Sequence, residues 1–198
     1  MELCVNCSWS GSTVTGDTDS TTYAKSAASD KRVADLTNEN GETPDNIIVS
    51  ISINDFAKTN EITTGENVGS NAITQSGNIT VISDAYVLLI KKLMMAYPKA
   101  KIYCCTILSE NCNSESAGTA NSHANGYPNI NPDDNVTLPI WNDMIRKIAN
   151  NMGCGLIDFA TCGINFYNIS SYTIDGLHPN IIGHKLMCQQ ALKAMINN

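Results

Sequence analysis

Short apolar runs alternate along the chain with longer stretches whose apolar residues recur every three or four positions. The runs predict strands, because their length and β-branched content are typical of buried strands, at residues 3–8, 47–53, 101–107 and 155–159. The periodic stretches predict helices at residues 23–36, 82–97, 139–152 and 181–196. This alternation predicts a three-layer α/β/α fold around a mostly parallel sheet with right-handed crossovers.

Two long polar segments interrupt the alternation, at residues 58–80 and 109–134. Both are rich in Asn, Ser, Thr and Gly and exceed the usual length of a connection. Each follows a predicted strand, so we expect both to lie at the carboxyl edge of the sheet. Loops at that edge usually carry specificity.

Length and composition favour one domain over residues 1–198, since 198 residues with 42% hydrophobic content supply a sizeable core. The net charge of -7 disfavours nucleic acid and anionic membranes as partners. No window approaches the roughly 18 apolar residues of a membrane span, and the first residues lack a secretory signal pattern. We expect a cytoplasmic protein, or a secreted one if an upstream segment carries a signal.

The eight cysteines favour neither a metal nor a cofactor. Cys4 and Cys7 have the spacing of a zinc or redox pair, but side chains three apart on a strand point to opposite faces. The adjacent Cys104 and Cys105 cannot chelate together for the same reason. We interpret most cysteines as small buried hydrophobic residues in a reducing compartment, with a disulfide near Cys112 left open.

The turn before the last predicted helix contains Asp175 and His178, in the segment Asp-Gly-Leu-His-Pro-Asn. A carboxylate three residues before a histidine can orient the imidazole, which then acts as a general base. A motif of two fixed residues also arises often by chance. The pair is therefore a candidate that other parts of the chain must support.

Two upstream turns supply that support. Asn54 follows the predicted strand 47–53, at the end where open α/β sheets bind ligands, and its amide can donate to a developing oxyanion. Gly11 lies in a Ser-Gly-Ser turn after the strand 3–8, and its backbone amide can face the same crevice. The alternative is that both segments only turn the chain.

In chain order, Ser10-Gly11-Ser12, Ile53-Asn54-Asp55 and the segment from Asp175 to Pro179 resemble the second, third and fifth blocks of the SGNH (GDSL-type) hydrolases, which are esterases and lipases. The resemblance implies a flavodoxin-like architecture in which four groups meet at the carboxyl edge of the sheet. It assigns the Gly11 amide and the Asn54 side chain as oxyanion donors, His178 as base and Asp175 as its partner.

Two departures from the family pattern are clear. Ser52 stands where the family has a glycine, and nothing in residues 1–9 resembles the Gly-Asp-Ser block that supplies the nucleophile. The chain is therefore either an N-terminally truncated hydrolase or a protein that has lost its nucleophile. Ser8, Ser10, Ser12 and Ser52 are candidate substitutes, although a nucleophile must also meet the base and the oxyanion site; otherwise these serines only cap turns.

The expected function is hydrolysis of small-acyl or carbohydrate-linked esters, so the expected partner is a small-molecule or glycan ester. The alternatives are a catalytically silent ligand-binding domain and an inactive fragment. In the family the nucleophile strand lies between the strands that correspond to 3–8 and 47–53. We therefore expect residues 3–8 to pair directly with residues 47–53 or with a second copy in a homodimer, because open edges recruit strands.

Overall fold

A parallel three-stranded sheet lies at the centre of the computed structural model, which describes residues 2–22, 24–57, 62, 68–72, 75–109 and 136–196. The strands are, in chain order, β1 (Gly16–Asp17), β2 (Asn46–Val49), β3 (Asn78–Ile79), β4 (Lys101–Cys105) and β5 (Gly155–Ile157). The helices are α1 (Asp30–Ala34), α2 (Ile53–Phe56), α3 (Ile82–Ala96), α4 (Leu138–Asn151) and α5 (Ile181–Ile196).

The central sheet has the order β2-β4-β5, with both pairs parallel, and β1 pairs with β3 in a separate antiparallel ribbon. Ile47 pairs with Ile102, and Tyr103 pairs with Gly155. Parallel strands need crossover helices, and α3 and α4 supply them. The predicted α/β class with a parallel sheet is confirmed.

The two faces of the sheet are covered unequally. One face, which we call the three-helix face, packs Ile47, Val49 and Cys104 against α1, α3 and α4 in the larger core cluster. The other, which we call the α5 face, packs Tyr103 and neighbouring side chains against α5 in a smaller cluster. Because side chains alternate along a strand, β4 and β5 each contribute to both clusters.

The helix α5 has the predicted bounds, residues 181–196, because strong local signals begin it. The Asn180 side chain accepts hydrogen bonds from the backbone N–H groups of Ile182 (2.9 Å) and Gly183 (3.0 Å), which caps the first turn. A Cβ on Gly183 would overlap the Tyr172 carbonyl, so the helix start packs closely on the preceding turn. The α3 and α4 helices also match their predictions within one residue at each end.

The predicted strand at residues 3–8 is wrong. This segment has no regular secondary structure, and Leu3 is 77% exposed. The thiols of Cys4 and Cys7 donate to the backbone carbonyls of Glu42 and Asp35, so the segment packs on the connection before β2 and not in the sheet.

Four other predicted elements are shorter than expected, and two of them, β4 and β5, end two residues before their predicted ends. The helix predicted at 23–36 begins only at Asp30, because Ser29 takes the extended N-cap conformation, and it ends at Ala34. The strand predicted at 47–53 ends at Val49, since the backbone turns sharply at Ser52 and continues as the short helix α2.

The polar segments are described only in part. β3 lies in the segment 58–80, of which residues 58–61, 63–67 and 73–74 are outside the described residues. Residues 110–135, including Cys112, are also outside them. No helix in the described ranges is long and apolar enough to cross a membrane.

Candidate active site

The turn after β2 contains a serine in the left-handed conformation. Ser52 has φ 97°, which costs a residue with a Cβ about 1–2 kcal/mol relative to ordinary backbone. Its hydroxyl is fully buried and accepts a hydrogen bond from the Trp141 indole N–H, at 3.1 Å. The conformation explains why a glycine suits this position, and the Trp141 bond holds the serine that replaces it.

This turn directs Asn54 toward the segment around Gly11. The Asn54 side-chain Nδ2 donates to the Ser12 backbone carbonyl at 2.9 Å. The next residue, Asp55, is fully buried and accepts hydrogen bonds from the Val14 N–H (2.8 Å), the Thr15 N–H (3.1 Å) and the Thr15 hydroxyl (2.7 Å). The two segments are therefore held together by a buried carboxylate beside the candidate amide.

Gly11 lies in a tight turn with φ 72°. The Ser12 N–H and hydroxyl both donate to the Trp9 carbonyl, at 3.3 and 2.8 Å, and close the turn around it. A Cβ on Gly11 would meet nothing within 4 Å, so open space adjoins the backbone there. Within the described part of the chain, the Gly11 N–H donates to no other group, which leaves it available to a ligand.

Asp175 and His178 form a hydrogen-bonded pair in the connection between β5 and α5. His178 Nδ1 lies 2.6 Å from Asp175 Oδ2, and Asp175 Oδ1 accepts from the backbone N–H groups of Leu177 (3.0 Å) and His178 (2.8 Å). Partial burial opposes ionisation of Asp175, but these hydrogen bonds and the imidazole lower its pKa to about 2. The carboxylate is thus charged at neutral pH.

The His178 ring is oriented for proton transfer. Its Nδ1 is engaged by Asp175, so Nε2 is the nitrogen left to act on a substrate. The side chain is 69% exposed, which makes it accessible. Asn54 and the Asp175–His178 pair lie in connections that leave the carboxyl ends of parallel strands, Asn54 after β2 and the pair after β5.

The four candidate nucleophiles differ in their surroundings. Ser52 is fully buried, and Ser12 is 7% exposed with its hydroxyl bonded to the Trp9 carbonyl and the Arg32 guanidinium. Ser8 and Ser10 are exposed. Among the residues with described positions, none of these hydroxyls hydrogen-bonds His178.

A groove of about 1410 Å³ runs along the outer edge of β2. Residues 2–9 and 42–54 line it, together with Leu89 of α3 and Met195 of α5, so side chains from both faces of the sheet border it. The expected direct pairing of residues 3–8 with residues 47–53 is therefore wrong, because this groove separates the two segments. It reaches Ser52 and Asn54 at the carboxyl end of β2.

The chain matches the family model of the GDSL-like Lipase/Acylhydrolase family over residues 3–186 and belongs to that family. The resemblance to SGNH hydrolases that the sequence indicated is confirmed. A search of curated proteins found no match.

Solved structures of similar fold share little sequence with the chain. A structural-genomics target from Lactobacillus plantarum has a TM-score of 0.67 at 15% identity, over 96% of this chain and 78% of that one. A possible lipase from Chitinophaga pinensis has a TM-score of 0.56 at 17% identity, over 83% and 76%. A peptidoglycan O-acetylesterase has a TM-score of 0.54 at 14% identity, over 85% and 41%. These likenesses concern the fold.

Proposed function

We propose that this protein hydrolyses carboxylic esters, with His178 as general base and Asp175 as the group that orients it. The Asn54 side chain and the Gly11 N–H are the oxyanion donors. The observation that carries the proposal is the preformed pair of an ionised Asp175 and an exposed His178, 2.6 Å apart. The Asn54 contact with Ser12, 2.9 Å long, brings the two donor segments together and supports it.

The reaction follows from these groups. A serine hydroxyl attacks the ester carbonyl carbon while His178 Nε2 takes its proton, and the carbonyl oxygen gains negative charge opposite Asn54 and Gly11. The tetrahedral intermediate collapses, the alkoxide leaves with the proton from His178, and an acyl-serine remains. Water then repeats the attack and frees the acid. One oxyanion donor typically accounts for a factor of about 10²–10³ in rate.

The groove beside β2 supplies a place for that serine. Among the described residues β2 pairs only with β4, so its outer backbone groups are free to bond an added strand. A strand laid parallel to β2 would place the residue after its carboxyl end near Asn54. We therefore assign the nucleophile to an extended segment that binds in this groove.

The proposed substrates are small-acyl or carbohydrate-linked esters. The family description includes acylhydrolases, and one structure of similar fold is a peptidoglycan O-acetylesterase. A short acyl group also suits a site whose Gly11 and His178 are reached from open solvent. Ester hydrolysis of this kind requires no metal.

The test compares hydrolysis of p-nitrophenyl acetate and of acetylated xylan by two proteins. One is the 198-residue chain. The other carries, in addition, any residues that are encoded in the same reading frame upstream of Met1. We expect the first to act barely above background and the second at least about 100-fold faster, because a base without a nucleophile gives weak catalysis. His178→Ala in the extended protein should abolish the gain.

His184→Ala is the matched control, since His184 is an exposed histidine on α5 with no part in the proposed chemistry. Loss of activity in both histidine variants would contradict the role of His178. A fast 198-residue chain would contradict the assignment of the nucleophile to the groove, and Ser8 and Ser10 would then be the first positions to substitute.

A catalytically silent binding domain is the second candidate. The observation that favours it is that none of Ser8, Ser10, Ser12 and Ser52 bonds His178 among the described residues. Such a protein would bind an acetylated sugar in the same cleft. Neither the 198-residue chain nor the extended protein would then release a burst of p-nitrophenol.

A further inference from the structure

Arg32 of α1 is a buried cation beside the Gly11 turn. Its side chain is 9% exposed, and its guanidinium donates to the Ser12 hydroxyl (2.9 Å), the Lys25 carbonyl (3.0 Å) and the Cys7 carbonyl (2.9 Å). It also lies 5.1 Å from the centre of the Trp9 ring, within cation–π range. One side chain thus contacts the chain on both sides of the turn.

Ser12 connects Arg32 to both proposed oxyanion donors. Its hydroxyl accepts from Arg32 and donates to the Trp9 carbonyl, which closes the turn that contains Gly11. Its backbone carbonyl accepts from Asn54 Nδ2. Any displacement of Ser12 therefore moves the Gly11 N–H. It also moves the carbonyl to which the Asn54 amide donates.

We propose that Arg32 is a positioning residue for the oxyanion site, which acts through Ser12 to hold the Gly11 and Asn54 donors in one arrangement. The role rests on the proposed esterase function, because it concerns the donors of that reaction. Preorganised donors are effective because no reorganisation is needed when charge develops.

The geometry requires arginine. A guanidinium presents several N–H donors in a rigid plane, whereas a lysine ammonium is a single charged point on a flexible stem. Lysine at this position would reach some of the three acceptors but not all of them together. Arg32→Lys should therefore keep part of the positioning of the Gly11 and Asn54 donors. Arg32→Met, which keeps the side-chain length without the charge, should keep none of it.

The experiment uses the 198-residue chain labelled with ¹⁵N and records the Gly11 backbone N–H and the Asn54 side-chain NH₂ signals. In the wild-type protein, acetate is titrated as a probe for the oxyanion, and we expect both signals to shift to saturation. Arg32→Met should displace both signals before acetate is added and weaken acetate binding at least fivefold. Ser12→Ala, which removes only the hydroxyl link, should displace them in the same direction.

Lys31→Met is the matched control. Lys31 is the neighbouring cation of α1, and its ammonium pairs with the Asp35 carboxylate at the end of that helix. It should leave both signals and the acetate affinity unchanged. Unperturbed signals from Ile102 and Ile157 in the central sheet show that each variant is folded, and Ser12→Ala carries the test if Arg32→Met is not.

The outcomes separate the two proposals. Wild-type signals and acetate affinity in both Arg32→Met and Ser12→Ala would overturn the role of Arg32 while leaving the esterase proposal intact. A wild-type protein in which acetate shifts neither Gly11 nor Asn54 would contradict the oxyanion site itself, and the positioning role with it.

Discussion

The helices α3 and α5 have almost the same length and are both rich in apolar residues, yet they are buried very differently. α3 has 15 residues, nine of them buried, whereas α5 has 16 residues, of which only Gly183 is buried. α3 contacts α1, α4 and the sheet, while α5 contacts mainly β5 and the short turn at Phe159–Thr161. Burial here depends on how many neighbouring layers surround a helix, and apolar content alone does not determine it.

The same contrast appears within one strand. Ile47 and Val49 of β2 face the three-helix face and are 6% and 7% exposed, but Ile48 faces the other side and is 48% exposed. On α5 the apolar side chains of Ile181, Ile182, Leu192 and Ile196 are also exposed. The α5 face is therefore the less complete half of the fold, and it borders the groove beside β2.

The largest expected effect comes from the same substitution on the two helices. Leu89→Ala in α3 should lower the free energy of unfolding by about 2–5 kcal/mol, because Leu89 is 4% exposed and its removal leaves a cavity. Leu192→Ala in α5 should cost about 1 kcal/mol or less, since this side chain is already 46% exposed. Urea denaturation measures both. Equal costs would mean that α5 is covered in solution.

A second comparison probes close packing on the α5 face. A Cβ on Gly155 would overlap the Tyr103 ring, so Gly155→Ala should cost about 1–3 kcal/mol through overpacking. Tyr103→Leu should remove most of that penalty in the double variant, since the two residues are in contact. Additive costs in thermal or urea unfolding would show that the penalty does not come from contact with the Tyr103 ring.

The third prediction concerns Ser52 on the three-helix face. Ser52→Ala leaves the buried Trp141 N–H without its acceptor and retains the left-handed strain, so we expect a loss of about 1–3 kcal/mol. Ser52→Gly also removes the acceptor but relieves the strain, and should cost less. A glycine variant less stable than the alanine variant in urea would show that φ 97° is not the conformation in solution.

The smallest expected effect is the pH dependence of the unfolding free energy that Asp175 causes. Its folded pKa is lowered from 3.8 to about 2, so its contribution to stability is complete above pH 3.8 and is lost as the pH falls toward 2. The side chain is 29% exposed, which limits the contribution to under about 1 kcal/mol. Asp175→Asn should flatten this part of the curve of unfolding free energy against pH, and an unchanged curve would contradict the lowered pKa.

The sequence predicted the elements whose signals are local. The apolar pattern of 181–196 predicts α5 correctly, and the spacing of Asp175 and His178 is enough to suggest their hydrogen bond. The segment 3–8 was wrongly predicted, because an apolar run has the same pattern whether or not a partner strand is present. Arg32 was missed since two of its three acceptors are backbone carbonyls, which leave no trace in the sequence.

The open edge of β2 has a consequence for handling the protein in solution. Among the described residues the outer backbone groups of Asn46–Val49 pair with no strand, so they can serve as a template on which copies stack into intermolecular sheets. The net charge of -7 opposes such contacts by mutual repulsion, and that repulsion weakens as salt is added. Colloidal stability should therefore fall with rising ionic strength, and we expect the protein to stay monodisperse in dilute, low-salt buffer.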